Sequence, residues 1–211
     1  MTKRTLDIAV SFTTLVILSP VVLLVCVAIA TTSSGGVIFR QTRVGRHGND
    51  FTLLKFRTMT TATASPTPGF TPGRTDRVTR VGRVLRKTKL DELPQLWNVL
   101  VGDMSLVGPR PEVPEWTEVY PERWKIILSV RPGITDLASI VFRNEEELLA
   151  KADDPQSCYR NEILPRKLDM AEEYVSSQSF LGDLRILLKT MIAIIGINTG
   201  KHGGNTREST S

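Results

Sequence analysis

The stretch LDIAVSFTTLVILSPVVLLVCVAIA, Leu6 to Ala30, decides how this chain is built. Apart from Asp7 near its start it carries no charge. At about 1.5 Å of rise per residue, a straight helix of this length crosses a bilayer. Ser19-Pro20 sits in the middle, where proline removes a backbone donor and bends a helix. Basic residues flank both ends: Lys3 and Arg4 before, Arg40, Arg43 and Arg46 after. Such charge favours the cytoplasmic side of a membrane. A re-entrant helix that dips in and returns, broken at Ser19 and Pro20, meets both observations. A single span is the second reading. A signal peptide is the third, with Lys3-Arg4 as its basic start and Ala28-Ile29-Ala30 as its cleavage site. The apolar stretch is, however, well beyond the usual signal core of about 7–15 residues.

Outside this segment the chain reads as a folded protein. It has 211 residues, 41% hydrophobic and 23% charged, enough for one domain plus something extra. The two cysteines, Cys26 and Cys158, make no disulfide framework. His47 and His202 are the only histidines, which argues against a His-based metal cluster or a Ser/His/Asp triad. The net charge of +5 hides an asymmetry: Arg40 to Lys89 holds 12 Lys/Arg against Asp50 and Asp76, whereas Glu112 to Glu173 is net acidic. A basic half beside a membrane segment suits anionic headgroups or phosphates. Nucleic acid is the rival for such charge, but the chain has no recognisable nucleic-acid motif.

Thr31 to Gly36 reads as a polar linker, so residues 1–36 form hairpin and linker, and 37–199 a separate domain. Val37 to Phe39 and Phe51 to Met59 read as two strands joined by GRHGND, Gly45 to Asp50. Alternation puts Lys55 and Arg57 on one face, roughly 7 Å apart. That spacing suits two oxygens of a diphosphate. Edge protection by charged residues explains it equally well. Thr60 to Gly73 reads as a mobile loop, and Arg74, Arg77, Arg80, Arg83 and Arg86 recur every third residue as a basic face for headgroups. Asp183 to Gly196 fits a helix that lies in the membrane interface or packs on the core. Residues 200–211 read as a disordered tail.

In KLDELPQLWNVL, Lys89 to Leu100, two carboxylates stand side by side at Asp91 and Glu92. Pro94 is tolerated in the first turn of a helix, so a helix with Leu96, Trp97 and Leu100 is expected to start near Asp91. A helix N-terminus favours negative charge and bound phosphate alike. An ordinary capping role is the plain alternative. Neighbouring helical residues point about 100° apart, so the two carboxylates cannot do the same job. Downstream, GPRPE (Gly108 to Glu112) and RPGIT (Arg131 to Thr135) hold Arg110 and Arg131 in stiff loops, and arginine offers a planar fork for phosphate.

The ordered set RQTRVG, KFRTM, TRVGRVLRKTKLDELPQLWNVLVGDMSLVGPRPE and RPGIT resembles the bacterial sugar transferases, the monotopic phosphoglycosyl transferases that use polyprenyl phosphate. The likeness runs from Leu6 to Gly196 and points to the minimal form. It implies a mainly α fold with a small β-hairpin, a monotopic membrane protein with an N-terminal re-entrant helix and interfacial helices. It implies transfer of a sugar-1-phosphate from a UDP-activated sugar to undecaprenyl phosphate, giving undecaprenyl-diphospho-sugar and UMP. The place would be the cytoplasmic face of the bacterial inner membrane, at the first membrane step of surface glycan assembly. By resemblance Asp91 is the nucleophile and Glu92 its helper. Mg²⁺ is the cofactor, held by Asp91 with substrate oxygens. Lys55, Arg57, Arg110, Pro111 and Arg131 contact phosphate or nucleotide. Expected partners are the donor, the acceptor and membrane lipid, without nucleic acid; a homodimer is compatible. Asp136-Leu137-Ala138-Ser139 stands where many relatives have Gly-Trp-Ala-Gln, a departure that bears on the sugar.

Overall fold

The computed structural model describes residues 3–33, 35–60 and 77–196. The expected loop after Thr60, Arg74 of the basic run and the 200–211 tail lie outside them. The described chain is mainly helical with a small antiparallel hairpin.

The apolar N-terminal segment forms two helices, α1 (Lys3–Ile17) and α2 (Ser19–Thr32), bent by 63° at the break. Pro20 has no N–H for the carbonyl of Val16 one turn back. The Ser19 hydroxyl donates to that carbonyl instead, at 2.8 Å. The expected break at Ser19-Pro20 is thus present, and its freed acceptor is satisfied locally. Among the described residues no single helix is long and apolar enough to cross a membrane.

Helix α1 is polar inside and apolar outside. Its buried residues are Asp7 and Ser11, whereas Phe12 and Ile17 are more than half exposed. Asp7 accepts from the Ser105 hydroxyl at 2.8 Å and from the Leu106 N–H at 3.2 Å. Lys3 donates to Asp183 at 2.5 Å and to the Val107 carbonyl at 2.8 Å. The segment is therefore built into the folded domain.

Strands β1 (Ile38–Val44) and β2 (Asp50–Phe56) pair antiparallel from Ile38↔Phe56 to Val44↔Asp50. The first strand runs past the expected Phe39 end, because the polar Arg-Gln-Thr-Arg run hid its alternation. The second stops at Phe56, short of the expected Met59. Helix α3 (Arg80–Thr88) is capped by Thr79, whose hydroxyl accepts from the Gly82 N–H. Gly82 lies against the backbone of Thr58: a Cβ there would stand 2.1 Å from the Thr58 carbonyl oxygen. Leu85 of this helix packs with Val25 and Ile29 of α2 and Phe56 of β2.

Helix α4 (Gln95–Val101) follows, then β3 (Ser105–Val107), α5 (Pro114–Thr117), α6 (Pro121–Ile127) and β4 (Gly133–Thr135). Strands β3 and β4 pair in parallel, an arrangement not expected from the sequence. Each is three residues long, too short to show a period. The crossing needs glycine, since a Cβ at Gly133 would lie 2.1 Å from the Gly108 nitrogen. The chain closes with α7 (Leu137–Val141), α8 (Glu145–Ala150), α9 (Pro155–Cys158), a π-turn (Tyr159–Ile163), α10 (Leu164–Ser177) and α11 (Phe180–Ile195).

The largest core joins α5 to α10 around Trp116, Trp124, Ile127, Tyr159, Leu164 and Leu168. Trp116 and Tyr159 meet edge to face at 4.8 Å. A second core ties Leu96 of α4 and Leu106 of β3 to Tyr174 and Ile186. Helix α11 packs on the core through one face and leaves an apolar face exposed. Asp183 and Ile186 are buried, while Leu181, Leu188 and Met191 are more than half exposed.

Candidate active site

The two carboxylates do not start a helix. Lys89 takes the left-handed conformation (φ 59°) and ends α3, and Leu90–Glu92 form one 3-10 turn. Helix α4 begins at Gln95, four residues later than expected. The reason is Pro94: it offers no N–H to the Leu90 carbonyl, which accepts from Leu93 N–H at 3.2 Å instead. Neither carboxylate makes a side-chain cap bond, so capping does not explain the pair.

Helix α4 is held in two places. The Arg4 guanidinium donates to the last carbonyls, Val99 at 2.6 Å and Leu100 at 3.0 Å. The Asn98 amide grips the outer edge of β2, donating to Thr52 O at 2.8 Å and accepting from Leu54 N–H at 3.1 Å. Lys55 is the next residue on that strand. Its ammonium approaches Glu92 Oε1 at 3.5 Å.

Arg110 meets Glu92 from the other side. It donates through Nη2 to Oε1 at 2.5 Å and through Nη1 to Oε2 at 3.4 Å. Arg110 is itself positioned by the β3–β4 crossing: its Nη1 donates to the Ile134 carbonyl at 3.2 Å, and its backbone N–H to Asp136 Oδ2 at 3.1 Å. Asp136 Oδ1 also caps α7 through Ser139 N–H. Arg43 stands behind Arg110, donating to the Pro111 carbonyl at 3.1 Å and to Glu112 at 3.4 Å. The Tyr159 hydroxyl donates to the other Glu112 oxygen at 3.1 Å.

These contacts divide the pair. Burial by itself would raise the Glu92 carboxyl, but Arg110 and then Lys55 outweigh it and hold Glu92 well below the usual carboxylate range. Glu92 is a fixed anion whose oxygens are occupied. Asp91 differs: it is 8% exposed, and its Oδ1 is buried with no hydrogen-bond partner. Burial, and then the neighbouring Glu92, push its carboxyl above the usual range. Burial also lowers the Lys55 ammonium to about 8, with Glu92 opposing that shift.

Of the residues singled out from sequence, Asp91, Glu92, Lys55 and Arg110 come together. Pro111 contributes its carbonyl to Arg43. Arg57 and Arg131 rest elsewhere, on the carbonyls of Gly36 at 2.6 Å and Gly102 at 2.9 Å. Ser19 and Pro20 sit at the hairpin break. Sequence reading gave Arg43 only a flanking charge, Asp136 only a bearing on the sugar and Glu112 no role, although Arg43 lay in plain view in RQTRVG and Glu112 in GPRPE. Their signal was the motif; their role needed the contacts.

A cavity of about 20 Å³ lies behind Arg110, lined by Glu112, Asp136, Tyr159 and Lys167. It has room for a water and none for a sugar. Asp91 does not line it. Among the described residues no cluster of three or more His, Cys, Asp or Glu could cage a metal. The free Asp91 oxygen still fits Mg²⁺, which takes one or two carboxylates and completes its shell with water and substrate phosphate.

This geometry is a buried, unpaired carboxylate beside a clamped basic cluster. The sequence profile of the bacterial sugar transferases matches residues 1–196. The chain is 36% identical over 197 residues to the UDP-glucose:undecaprenyl-phosphate glucose-1-phosphate transferase of Caulobacter vibrioides, covering 92% of this chain and 69% of that one. It is 36% identical over 196 residues to the UDP-N-acetylgalactosamine-undecaprenyl-phosphate N-acetylgalactosaminephosphotransferase of Aeromonas hydrophila, covering 92% of this chain and 43% of that one. It is 36% identical over 203 residues to the uncharacterized sugar transferase EpsL of Bacillus subtilis, covering 95% of this chain and 92% of that one. With the family's profile matched over nearly its whole length, the chain belongs to the bacterial sugar transferases, and it is an enzyme of that class.

Proposed function

We propose that this enzyme transfers a sugar-1-phosphate from a UDP-activated sugar to undecaprenyl phosphate, through a covalent phosphosugar–aspartate on Asp91. The observation that carries the reading is the contrast between a Glu92 with both oxygens engaged and an Asp91 with a buried oxygen that has no hydrogen-bond partner. The printed names of the Caulobacter and Aeromonas relatives supply the donor and acceptor classes.

In the first step an Asp91 oxygen attacks the phosphorus that bears the sugar. The Oδ–P bond forms, the P–O bond to uridine monophosphate breaks, and UMP leaves with the bridging oxygen. In the second step an oxygen of undecaprenyl phosphate attacks the same phosphorus. The Oδ–P bond breaks, undecaprenyl-diphospho-sugar departs, and the Asp91 carboxylate is restored. Poor solvation makes the carboxylate reactive, provided that it is ionised. Lys55 and Arg110, fixed by Glu92, present positive charge to the phosphate oxygens without collapsing onto Asp91. Mg²⁺ held by Asp91 and the substrate would offset phosphate charge.

The inside-out helix α1 and the apolar outer faces of α2 and α11 support a seat in the cytoplasmic leaflet of the bacterial inner membrane. Leu23 and Leu24 are 65% and 70% exposed, surface that water does not favour. Arg80 and Arg83, exposed on α3, fit anionic headgroups beside that seat. Arg86 of the same run is instead paired with Glu146. Surface glycan assembly is the process served.

The test is a panel of UDP-glucose, UDP-galactose, UDP-N-acetylglucosamine and UDP-N-acetylgalactosamine with undecaprenyl phosphate, read as UMP release. Intact-protein mass spectrometry without acceptor should show one added sugar-phosphate on Asp91. Strictly sequential kinetics with no adduct from any donor overturns the covalent route.

A further inference from the structure

We infer that Gln95 is a catalytic residue of the same site: its side-chain amide donates a hydrogen bond to a non-bridging oxygen of the phosphoryl group that Asp91 attacks. The inference rests on the reading of Asp91 given above.

Gln95 is 1% exposed, and its Nε2 has no hydrogen-bond partner. A buried amide N–H₂ is costly to leave unpaired, so such a group calls for an acceptor. Its position on α4 shows where that acceptor belongs. Asn98, one turn later, is bonded to β2 at Thr52 and Leu54. Val99 packs with Leu53, Met104 and Ile134. Positions three and four apart share a helix face. Gln95 therefore occupies the same face, one turn nearer the carboxylates. The elements it faces carry the rest of the site: β2 brings Lys55, and the Ile134 carbonyl holds Arg110. The backbone from Leu93 through Pro94 is close to helical, which keeps Gln95 about one turn from Asp91.

Two complementary groups about one turn apart along the chain are then unused, the acceptor Asp91 Oδ1 and the donor Gln95 Nε2. They are not bonded to each other. A phosphoryl group satisfies both at once, because its phosphorus accepts the carboxylate and its oxygens accept the amide. Charge explains why a neutral donor fits here. A lysine or arginine in this place would pair with Asp91 and blunt it, whereas Lys55 and Arg110 are already committed to Glu92. The amide can stabilise the negative charge that gathers on phosphoryl oxygen without quenching the nucleophile.

Rapid-quench mass spectrometry of full-chain protein, with the donor that gives the most UMP in the panel, tests this. The amplitude of the Asp91 adduct counts competent sites, and its rate constant reports the chemistry. Gln95→Met keeps the length and removes the donor; Gln95→Glu keeps the shape and adds repulsion. We expect the rate constant to fall about 10- to 100-fold in Gln95→Met and further in Gln95→Glu, with the donor KM within about threefold of wild type. A Gln95→Met rate constant within about twofold of wild type overturns the inference, whatever the amplitude. Loss of amplitude alone means that the amide supports the fold or holds a water. No adduct in wild-type protein removes the Asp91 reading itself, and this inference with it.

Discussion

At the base of the α1–α2 hairpin, Asp7, Lys3 and Asp183 are each engaged with partners across the fold, whereas at the Leu90–Glu92 turn Asp91 keeps a buried oxygen bonded to nothing. Both regions take charge out of water. The first surrounds it with donors and acceptors from β3, α10 and α11 and so fastens a helix whose outer face is apolar. The second spends its cations on Glu92 and leaves Asp91 poorly solvated. Full pairing is what attachment requires, and incomplete pairing is what a nucleophile requires. A folded carboxyl raised above its unfolded value binds its proton more tightly when folded, so its ionised form costs stability at neutral pH. The site holds that cost because its surroundings, from α4 clamped on β2 to Arg110 clamped on β4, cannot relax around it.

The sharpest break of this comparison is Asp91→Asn. UMP release should fall by at least about 10³-fold, as expected when a nucleophile is removed. The thermal midpoint in detergent should stay level or rise, because no bonded contact is lost and an unfavourable buried charge is gone. A normal turnover number would sink the mechanism, and a large fall in midpoint would sink the claim that Asp91 is structurally idle.

Glu92→Gln should come next, with activity down about 100-fold and stability down about 3 kcal/mol, since it leaves Arg110 and Lys55 buried without their counter-ion. The pH profile gives a more specific reading. In wild type, kcat/KM should fall on the acid side as Asp91 protonates, above the usual aspartate range, and on the alkaline side near pH 8 as Lys55 loses its charge. Glu92 raises both groups, so its removal should move both limbs to lower pH. Limbs that stay in place would show that Glu92 does not set these charges.

On the hairpin side, Ser19→Leu with Pro20→Leu should restore a continuous apolar helix long enough to span. Labelling of a cysteine placed at Thr2 should then switch from lysed cells only to intact cells, with activity down about tenfold as the domain loses its seat. Labelling of the unaltered hairpin from outside would mean that the segment simply spans. Asp7→Ala should cost about 2–3 kcal/mol by stranding the Ser105 hydroxyl and the Leu106 N–H, with Asp7→Asn recovering part of it. The chemical step should be little changed in either once the protein is folded. The smallest effects should come from Arg57→Gln and Arg131→Gln. Both guanidiniums rest on backbone carbonyls away from Glu92, so activity should stay within about threefold of wild type. A loss matching that of Arg110→Gln would return them to the site.

Local chemistry was readable without coordinates. Pro20 lacks an N–H wherever it stands, so the break and the use of Ser19 to satisfy Val16 follow from two adjacent residues. The Asp91-Glu92 pair, the basic stretch around it, the two strands and the proline-stiffened Arg110 loop are properties of short segments, and sequence located them all. It also implied that the two carboxylates differ, because adjacent side chains point apart.

Which carboxylate would be clamped and which left free was settled only in three dimensions. Arg110 reaches Glu92 across 18 positions and Lys55 across 37, and both distances depend on how α4 seats on β2 and how Gly108 crosses Gly133. The same packing placed Arg57 and Arg131 on distant carbonyls although their motifs looked equal to that of Arg110. It also decided that Gln95 is buried beside the turn. A missing N–H or a fixed φ acts within one turn of chain. A side chain's partner is chosen by whichever elements the fold brings within about 3 Å, and that choice belongs to the tertiary structure.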